Sequence, residues 1–143
     1  MSGNSLHYHY VVSGEDFTRA GMASSAVKQI LKQLGFNPQT VRNMSISLYE
    51  GEMNMVLHAG GGEIDVDIDD EKIVAVLTDH GPGIENIELA MKDGWSTASE
   101  QVRGLGFGAG MGLPNMKKYS DELKIDSTVG VGTTVTIAVN IGD

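Results

Sequence analysis

Apolar side chains repeat every second residue in some segments of the chain and every third or fourth residue in others. The first pattern is typical of a strand with one buried face, and the second is typical of a helix that buries one side. Alternation predicts strands at 6–12 and 64–68, and a continuous apolar run predicts a central strand at 73–77. Two further strands are predicted at 122–128 and 133–141.

Two long helices are predicted between the first and second strands. The first runs from Phe17 to Leu34, with Asp16 as its cap and Gly35 just after its end. The second begins at Pro38, follows the capping residue Asn37 and continues to about Ala59. Shorter helices are predicted at 87–91 and 113–119.

The order of these elements predicts the fold class. Strands joined by hairpins, with helices grouped rather than alternating, favour an α+β protein over a doubly wound sheet. We therefore expect a two-layer α/β sandwich with a mixed sheet and all helices on one face. The 143 residues contain no internal repeat or linker, so one domain spanning 1–143 is expected.

Composition excludes several classes of function. The formal net charge of −9 argues against a binder of duplex nucleic acid, which needs a basic face. The chain has no cysteine, and therefore no disulfide and no thiolate metal site. No segment approaches the ~20 apolar residues that span a bilayer, and the first residues lack the basic start of a leader. We expect a cytoplasmic protein that does not enter membranes.

Three polar residues of the second helix are spaced four apart and should project from one side of it. They are Glu50, Asn54 and His58. A carboxylate can deprotonate a hydroxyl, and an amide oxygen can complete the coordination of a phosphate-bound Mg²⁺. The alternative interpretation of this stripe is an ordinary solvated helix face.

A second candidate segment follows the central strand. Asp79 could accept a hydrogen bond from an exocyclic amine, and Gly81 and Gly83 let the backbone approach a ring closely. An ordinary turn after a strand remains the alternative.

A third candidate segment has glycine at every second position from Gly104 to Gly112 and leads into a predicted helix. Successive backbone N–H groups in such a run can hold phosphate, and the helix N-terminus adds positive potential. A flexible loop is the alternative. No glycine of this run is followed by lysine, which excludes a P-loop.

Four segments, in this order, resemble the sequence boxes of the GHKL ATPases: Glu50-x-x-x-Asn54, Asp79-x-Gly81-x-Gly83, Gly108-x-Gly110-x-Gly112 and Gly130-x-Gly132-Thr133. That superfamily includes gyrase-type ATPases, sensor histidine kinases and anti-sigma serine kinases. The run from Asp93 to Pro114 is similar to stressosome switch kinases, which phosphorylate a serine on small antagonist proteins. The resemblance implies the Bergerat type of sandwich, with ATP between the helical layer and a lid.

The resemblance also implies roles for residues at the base end of the nucleotide. Asp79 would bind the adenine amine, where a water molecule would also lie, and Thr133 would be near that water. Gly81 and Gly83 would shape the base pocket.

At the phosphate end, the resemblance implies that Gly108, Gly110 and Gly112 hold the phosphates and that Asn54 binds Mg²⁺. Glu50 would act on the attacking hydroxyl, and His58 would lie near the phosphates. Arg103 would contact the γ-phosphate; the alternative interpretation is a solvated charge on a loop.

The resemblance implies a serine/threonine kinase that uses ATP and Mg²⁺ and phosphorylates an antagonist-type partner. A sensor histidine kinase requires a substrate histidine on a helix ahead of the domain, and none of the four histidines is in such a position. The alternatives are a stand-alone histidine-kinase-like ATPase domain and a nucleotide-gated regulatory module without turnover. Met22 and the other methionines could form a contact surface, so a homodimer is a further alternative to a monomer. Gly51 departs from the family, where Leu or Ala is usual, at a cost to the helix of about 1 kcal/mol.

Overall fold

The computed structural model describes residues 5–14, 20–84 and 112–141. In chain order its elements are β1 (Leu6–Ser13), α1 (Met22–Gln33), α2 (Pro38–His58), β2 (Gly61–Ile68), β3 (Lys72–Asp79), α3 (Gly112–Lys118), β4 (Glu122–Thr128) and β5 (Gly132–Asn140). All five predicted strands and three of the four predicted helices are therefore confirmed. The helix predicted at 87–91 lies outside the described residues.

The strands form one sheet in the order β1-β2-β3-β5-β4. Every pair of neighbouring strands in the described residues is antiparallel, so our expectation of a mixed sheet is wrong. The physical reason is the position of β5, which lies between β3 and β4 with Lys72 opposite Asn140. Each strand is then antiparallel to every strand beside it.

The core lies between one face of this sheet and the helical layer, as predicted. The side chains that the sheet contributes are fully or almost fully buried; among them are Ile64, Val66, Ile73, Ala75, Leu77 and Ile137. The helices contribute Leu31, Met44, Leu48 and Met116, which have no exposed surface. The opposite face of the sheet carries charged side chains such as Glu63 and Asp67. No helix within the three described ranges has the length and apolarity needed to cross a membrane.

Helix α1 begins later than the apolar spacing predicted. Its first residue is Met22, and its N-cap is Gly21 in a left-handed conformation (φ 93°) with no side-chain cap. One unbroken helix from Phe17 to Leu34 is therefore wrong, because the left-handed Gly21 is the N-cap of a helix that begins at Met22. Asp16, the predicted cap, lies outside the described residues. The predicted end is confirmed, since Gly35 has φ 82° and follows the last helical turn.

The N-terminus of α1 is capped instead by Glu52 of α2. This carboxylate is only 2% exposed. It accepts hydrogen bonds from the backbone N–H groups of Gly21 at 2.9 Å, Ala23 at 3.2 Å and Ser24 at 2.9 Å. A negative charge at this position satisfies orphan N–H groups and complements the helix dipole. No local pattern in the sequence predicts this role, because Gly21 and Glu52 are 31 residues apart.

Helix α2 is the long element on which the site is built, and its start is as predicted. Asn37 Oδ1 accepts hydrogen bonds from the N–H groups of Gln39 at 2.7 Å and Thr40 at 3.3 Å, and Pro38 occupies the first turn. The helix has 21 residues, about 30 Å of length.

Gly51 gives α2 its close approach to the sheet. A Cβ at this position would lie 2.6 Å from Leu77 Cδ2 and 3.2 Å from Met116 Sδ. The glycine therefore allows α2 to pack directly against β3 and α3 at one point. The low helix propensity of Gly51 is the cost of that packing.

Candidate functional site

The polar stripe of α2 lies at the margin between core and solvent. Glu50, Asn54 and His58 are each partly buried and belong to one continuous helix, so their four-residue spacing places them on one side. The neighbouring Met53 and Val56 are buried, as expected from their apolar character. The stripe is therefore a half-enclosed polar surface, which is what a binding site at the edge of a core requires.

Glu50 is joined to the next helix by a hydrogen bond. Asn115 of α3 donates from Nδ2 to Glu50 Oε2 at 3.2 Å. Burial raises the pKa of Glu50 above its ordinary value, and the bond from Asn115 opposes that rise. A carboxylate with a raised pKa is a stronger proton acceptor when ionised. Asn115 was not predicted from the sequence, because its contact depends on how α3 packs against α2.

Asp79 ends β3 with its carboxylate held by two backbone groups. Asp79 Oδ1 accepts hydrogen bonds from Gly81 N–H at 3.0 Å and from Thr133 N–H at 3.2 Å. These bonds join the loop after β3 to the start of β5 and fix the orientation of the carboxylate. None of the hydrogen bonds among the described residues uses Oδ2. The second oxygen is therefore available to a ligand that donates a hydrogen bond.

The glycines after Asp79 bring its loop against neighbouring elements. A Cβ on Gly81 would lie 2.7 Å from the Cβ of Ala59, the residue that follows α2. Gly83 has φ 81°, and a Cβ there would lie 2.6 Å from the carbonyl oxygen of Thr128. The loop thus lies between the end of α2 and the end of β4. This packing brings the Asp79 segment next to the end of the polar stripe, at His58.

Thr133 lies beneath this loop and is 6% exposed. Its hydroxyl is hydrogen-bonded to Ser127 Oγ at 2.8 Å, and Ser127 Oγ also accepts from Ile84 N–H at 2.7 Å. Ser127 therefore ties the end of the loop to β4 and β5. Ser127 was not predicted from the sequence, since a serine within an alternating strand carries no signal of its own.

The phosphate end of the predicted site is only partly described. Gly112 is the first residue of α3, as the glycine run leading into a helix predicted. Gly108, Gly110 and Arg103 lie outside the described residues, and their predicted roles stay predictions.

Asn54 is compatible with a Mg²⁺ ion carried by a nucleotide. Within the described ranges, no group of three or more histidine or carboxylate side chains could hold a metal by itself. Mg²⁺ is usually bound by one or two protein oxygens together with phosphate oxygens and water. A single amide oxygen beside Glu50 suits that shared coordination.

Comparison with known families identifies the family of this chain. The sequence profile of the family described as histidine kinase-like ATPase domain matches residues 15–139. The chain belongs to this family. Membership in the histidine kinase-like ATPase family confirms the resemblance found in the four sequence boxes.

Two relatives show which branch of the family this ATPase domain is similar to. It is 31% identical over 112 residues to the serine/threonine-protein kinase RsbT of Bacillus subtilis, covering 76% of this chain and 78% of that kinase. It is 32% identical over 133 residues to the anti-sigma F factor of Caldanaerobacter subterraneus, covering 90% of this chain and 86% of that factor. The expectation of an anti-sigma switch-kinase type is confirmed by these relatives.

A solved structure supports the fold. The crystal structure of RsbU and RsbW domains from a Mycobacterium tuberculosis protein matches the ATPase domain with a TM-score of 0.60 and 15% identity. The match covers 94% of this chain, which spans 32% of the length of that one. The α/β sandwich is therefore shared with an RsbW-containing protein.

Proposed function

We propose that the protein is a Mg·ATP-dependent serine/threonine kinase that phosphorylates a serine of a small antagonist-type regulatory protein. The observation that carries the proposal is the fixed carboxylate of Asp79, which adjoins the end of the helix that bears Glu50 and Asn54. Similarity to a serine kinase and to anti-sigma F factors supports the same function. We place this activity in the cytoplasm, where ATP is available.

In the proposed site, Asp79 recognises the base. Its Oδ2 accepts a hydrogen bond from the exocyclic amine of adenine, while its Oδ1 remains bonded to Gly81 and Thr133. Thr133 and the glycines at 81 and 83 support this pocket. The phosphates extend toward Gly108, Gly110 and Gly112, with His58 beside them. Arg103 contacts the γ-phosphate.

Glu50 is the proposed catalytic base. It accepts the proton of the attacking serine hydroxyl, whose oxygen forms the new bond to the γ-phosphorus as the bond to the ADP oxygen breaks. Its raised pKa suits this role, because a stronger base draws the proton more effectively. Asn54 holds Mg²⁺, which supplies neutralising charge to the phosphates.

Nucleotide binding is tested by isothermal titration of Mg·ATP and Mg·ADP into the wild type, Asp79→Asn and Asp70→Asn. Asparagine keeps the oxygen that holds the loop but faces the adenine amine with an NH₂ group. We expect Asp79→Asn to weaken binding about tenfold or more, equivalent to about 1.4 kcal/mol. The exposed Asp70→Asn should bind like the wild type. Equal affinity of all three proteins would contradict the assignment of Asp79.

Phosphoryl transfer is tested with γ-labelled ATP and small antagonist-type proteins of the same organism. Acid-stable label on the partner is expected with the wild type and with Glu122→Gln, and none with Glu50→Gln, which should still bind ATP. Acid-labile label on a histidine would support the alternative of a histidine-kinase-like ATPase domain. ATP binding without transfer to any partner would support a nucleotide-gated regulatory module.

Self-association is a further part of the proposal. Met22 is 56% exposed and Tyr49 is 40% exposed. Tyr49 lies beside Gly21, the residue before Met22, since Tyr49 Cε1 would be 3.2 Å from a Cβ on Gly21. This pair gives a homodimer an apolar contact. Sedimentation of wild type and Met22→Ser would test it, with a dimer expected only for the wild type.

A further inference from the structure

The basic side chains of this acidic protein are unevenly distributed. Residues 17–49 contain four lysines and arginines and no carboxylate. The rest of the chain contains six lysines and arginines and all nineteen carboxylates. The hairpin of α1 and α2, up to the start of the polar stripe, is therefore positively charged within a protein of net charge −9.

A groove of about 520 Å³ lies between α1 and α2 within this positive region. Lys28, Lys32 and Arg42 border it, and Phe36 and Ile46 are among its apolar lining residues. The volume falls within the usual range of ligand pockets. Lys28 and Lys32 are one helical turn apart on α1, and Arg42 and Ile46 are one turn apart on α2. Each helix therefore presents positive charge to the groove, and the apolar side chains form its floor.

The polar groups of the groove lack partners in the described part of the chain. Lys28, Lys32 and Arg42 are exposed and form no ion pair there. Ser45 Oγ is buried without a hydrogen-bond partner among the described residues. Three exposed cations around apolar side chains, with one buried hydroxyl that lacks a partner, suit a ligand that carries both carboxylates and an apolar surface.

We propose that this groove, defined by Lys28, Lys32, Phe36, Arg42, Ser45 and Ile46, docks an acidic amphipathic segment of a partner protein. Apolar side chains of the segment cover Phe36 and Ile46, and flanking carboxylates pair with the three cations. Two antiparallel helices with a groove between them suit an amphipathic helix laid along them. Nucleic acid fits less well, because three cations are few and the carboxylates elsewhere repel a polyanion.

The groove is separate from the proposed nucleotide site. Arg42 and Asn54 are twelve residues apart on α2, which is roughly 18 Å along the helix. The docking proposal therefore does not depend on phosphoryl transfer, and variants of the groove should bind Mg·ATP like the wild type.

The probe is a pair of synthetic helical peptides with the same leucine stripe, one flanked by glutamates and one by lysines. Each is titrated into ¹⁵N-labelled protein. We expect the glutamate peptide to shift the amide signals of residues 28–46 and to bind at least tenfold more tightly than the lysine peptide. Binding should weaken as salt is raised, because the pairing charges are exposed.

Matched variants test the assignment of residues. Lys32→Glu combined with Arg42→Glu should weaken binding of the glutamate peptide at least tenfold, and Ile46→Ser should also weaken it. Lys117→Glu combined with Lys124→Glu makes the same charge change outside the groove and should have little effect. Circular dichroism and Mg·ATP titration establish that each variant is folded.

Three results would overturn the proposal. The first is equal binding of the two peptides, or signal changes outside the groove. The second is concentration-dependent shifts of the groove signals that occur without peptide and persist in Met22→Ser, which would make a second copy the occupant. The third is displacement of the peptide by a duplex oligonucleotide.

Discussion

Asn115 and Glu50 join α3 to α2 through a single hydrogen bond, from Nδ2 to Oε2 at 3.2 Å. The bond opposes the effect of burial on the carboxylate, which by itself raises the pKa of Glu50. The helix that follows the glycine run therefore adjusts the basicity of the proposed catalytic base.

Replacing Asn115 with leucine should shift the pH dependence of phosphoryl transfer. Loss of the hydrogen bond raises the pKa of Glu50 further, so a smaller fraction is ionised at a given pH. The acidic limb of kcat/KM should move to higher pH, and the loss of rate should be larger on that limb than at the pH optimum. Asn43→Leu, on the other half of α2, serves as the control. An unchanged acidic limb would remove Asn115 from this role.

Replacing Glu52 with alanine should destabilise the protein by about 2–4 kcal/mol. The change leaves three N–H groups at the start of α1 without their carboxylate. Urea unfolding measures the difference. Glu52→Gln, which keeps one acceptor oxygen, should fall between the wild type and alanine. Glu122→Ala on an exposed strand should change the free energy of unfolding by less than about 0.5 kcal/mol. A similar effect of both alanine variants would contradict the capping role.

Replacing Gly51 with alanine should destabilise the protein by up to about 2 kcal/mol, although alanine favours a helix. Overpacking against Leu77 and Met116 costs about 1–3 kcal/mol, and the gain in helix propensity offsets about 1 kcal/mol. Leu77→Val removes the atom nearest to the new methyl group. The double variant should therefore be more stable than the sum of the two single changes predicts, as measured by thermal unfolding. Simple additivity would show that α2 has room at this position.

Histidines of β1 and carboxylates of β2 form a ladder on the outer face of the sheet. His7 Nδ1 lies 2.7 Å from Asp67 Oδ1, and His9 Nδ1 lies 2.7 Å from Asp65 Oδ1. The hydrogen bond with Asp67 is the main cause that raises the pKa of His7, and the bond with His9 is the main cause that lowers the pKa of Asp65. The edge strand β1 is therefore held partly by titrating pairs.

The pairing of β1 should be strongest between about pH 4 and pH 6.5. The contribution of His7 is fully present below its ordinary pKa of 6.5 and is lost as the pH rises through the raised value. The contribution of Asp65 is present above its ordinary pKa of 3.8 and is lost as the pH falls through the lowered value. Amide exchange of β1, corrected for intrinsic rates, should be faster near pH 8 than near pH 6.

His7→Gln should abolish most of that difference in exchange, because glutamine does not gain charge. The difference should also shrink in about 1 M salt, which screens exposed pairs. His80→Gln, outside the ladder, should keep it. A pH dependence that survives in His7→Gln would assign the effect to other groups.

Periodicity predicted the elements because each buries one face, and a buried face is visible in the sequence. The boundaries of β4 and the start of α2 at Asn37 and Pro38 were predictable for the same local reasons. Strand pairing was not, because alternation identifies a strand without naming its neighbours. The insertion of β5 beside β3 is set by the tertiary arrangement, which is why the mixed sheet was expected and an antiparallel one is found.

The placement of three candidate site residues was predictable where chemistry and spacing coincide. Glu50 and Asn54 repeat along a helix, and Asp79 ends an apolar strand before two glycines, so their positions could be inferred from sequence. Asn115 and Ser127 could not be inferred, since each acts only through a partner distant in sequence. The fold brings these supporting residues to the ones that the sequence reveals.

The capping of α1 by Glu52 has a consequence for the order of folding. Helix α1 has 12 residues and no side-chain cap of its own, and isolated helices of that length are marginal in water. Its first turn is satisfied only once α2 has formed and presents the carboxylate. We therefore expect α1 to consolidate late, on an existing α2, so that Ala23→Gly should accelerate unfolding while leaving the refolding rate nearly unchanged.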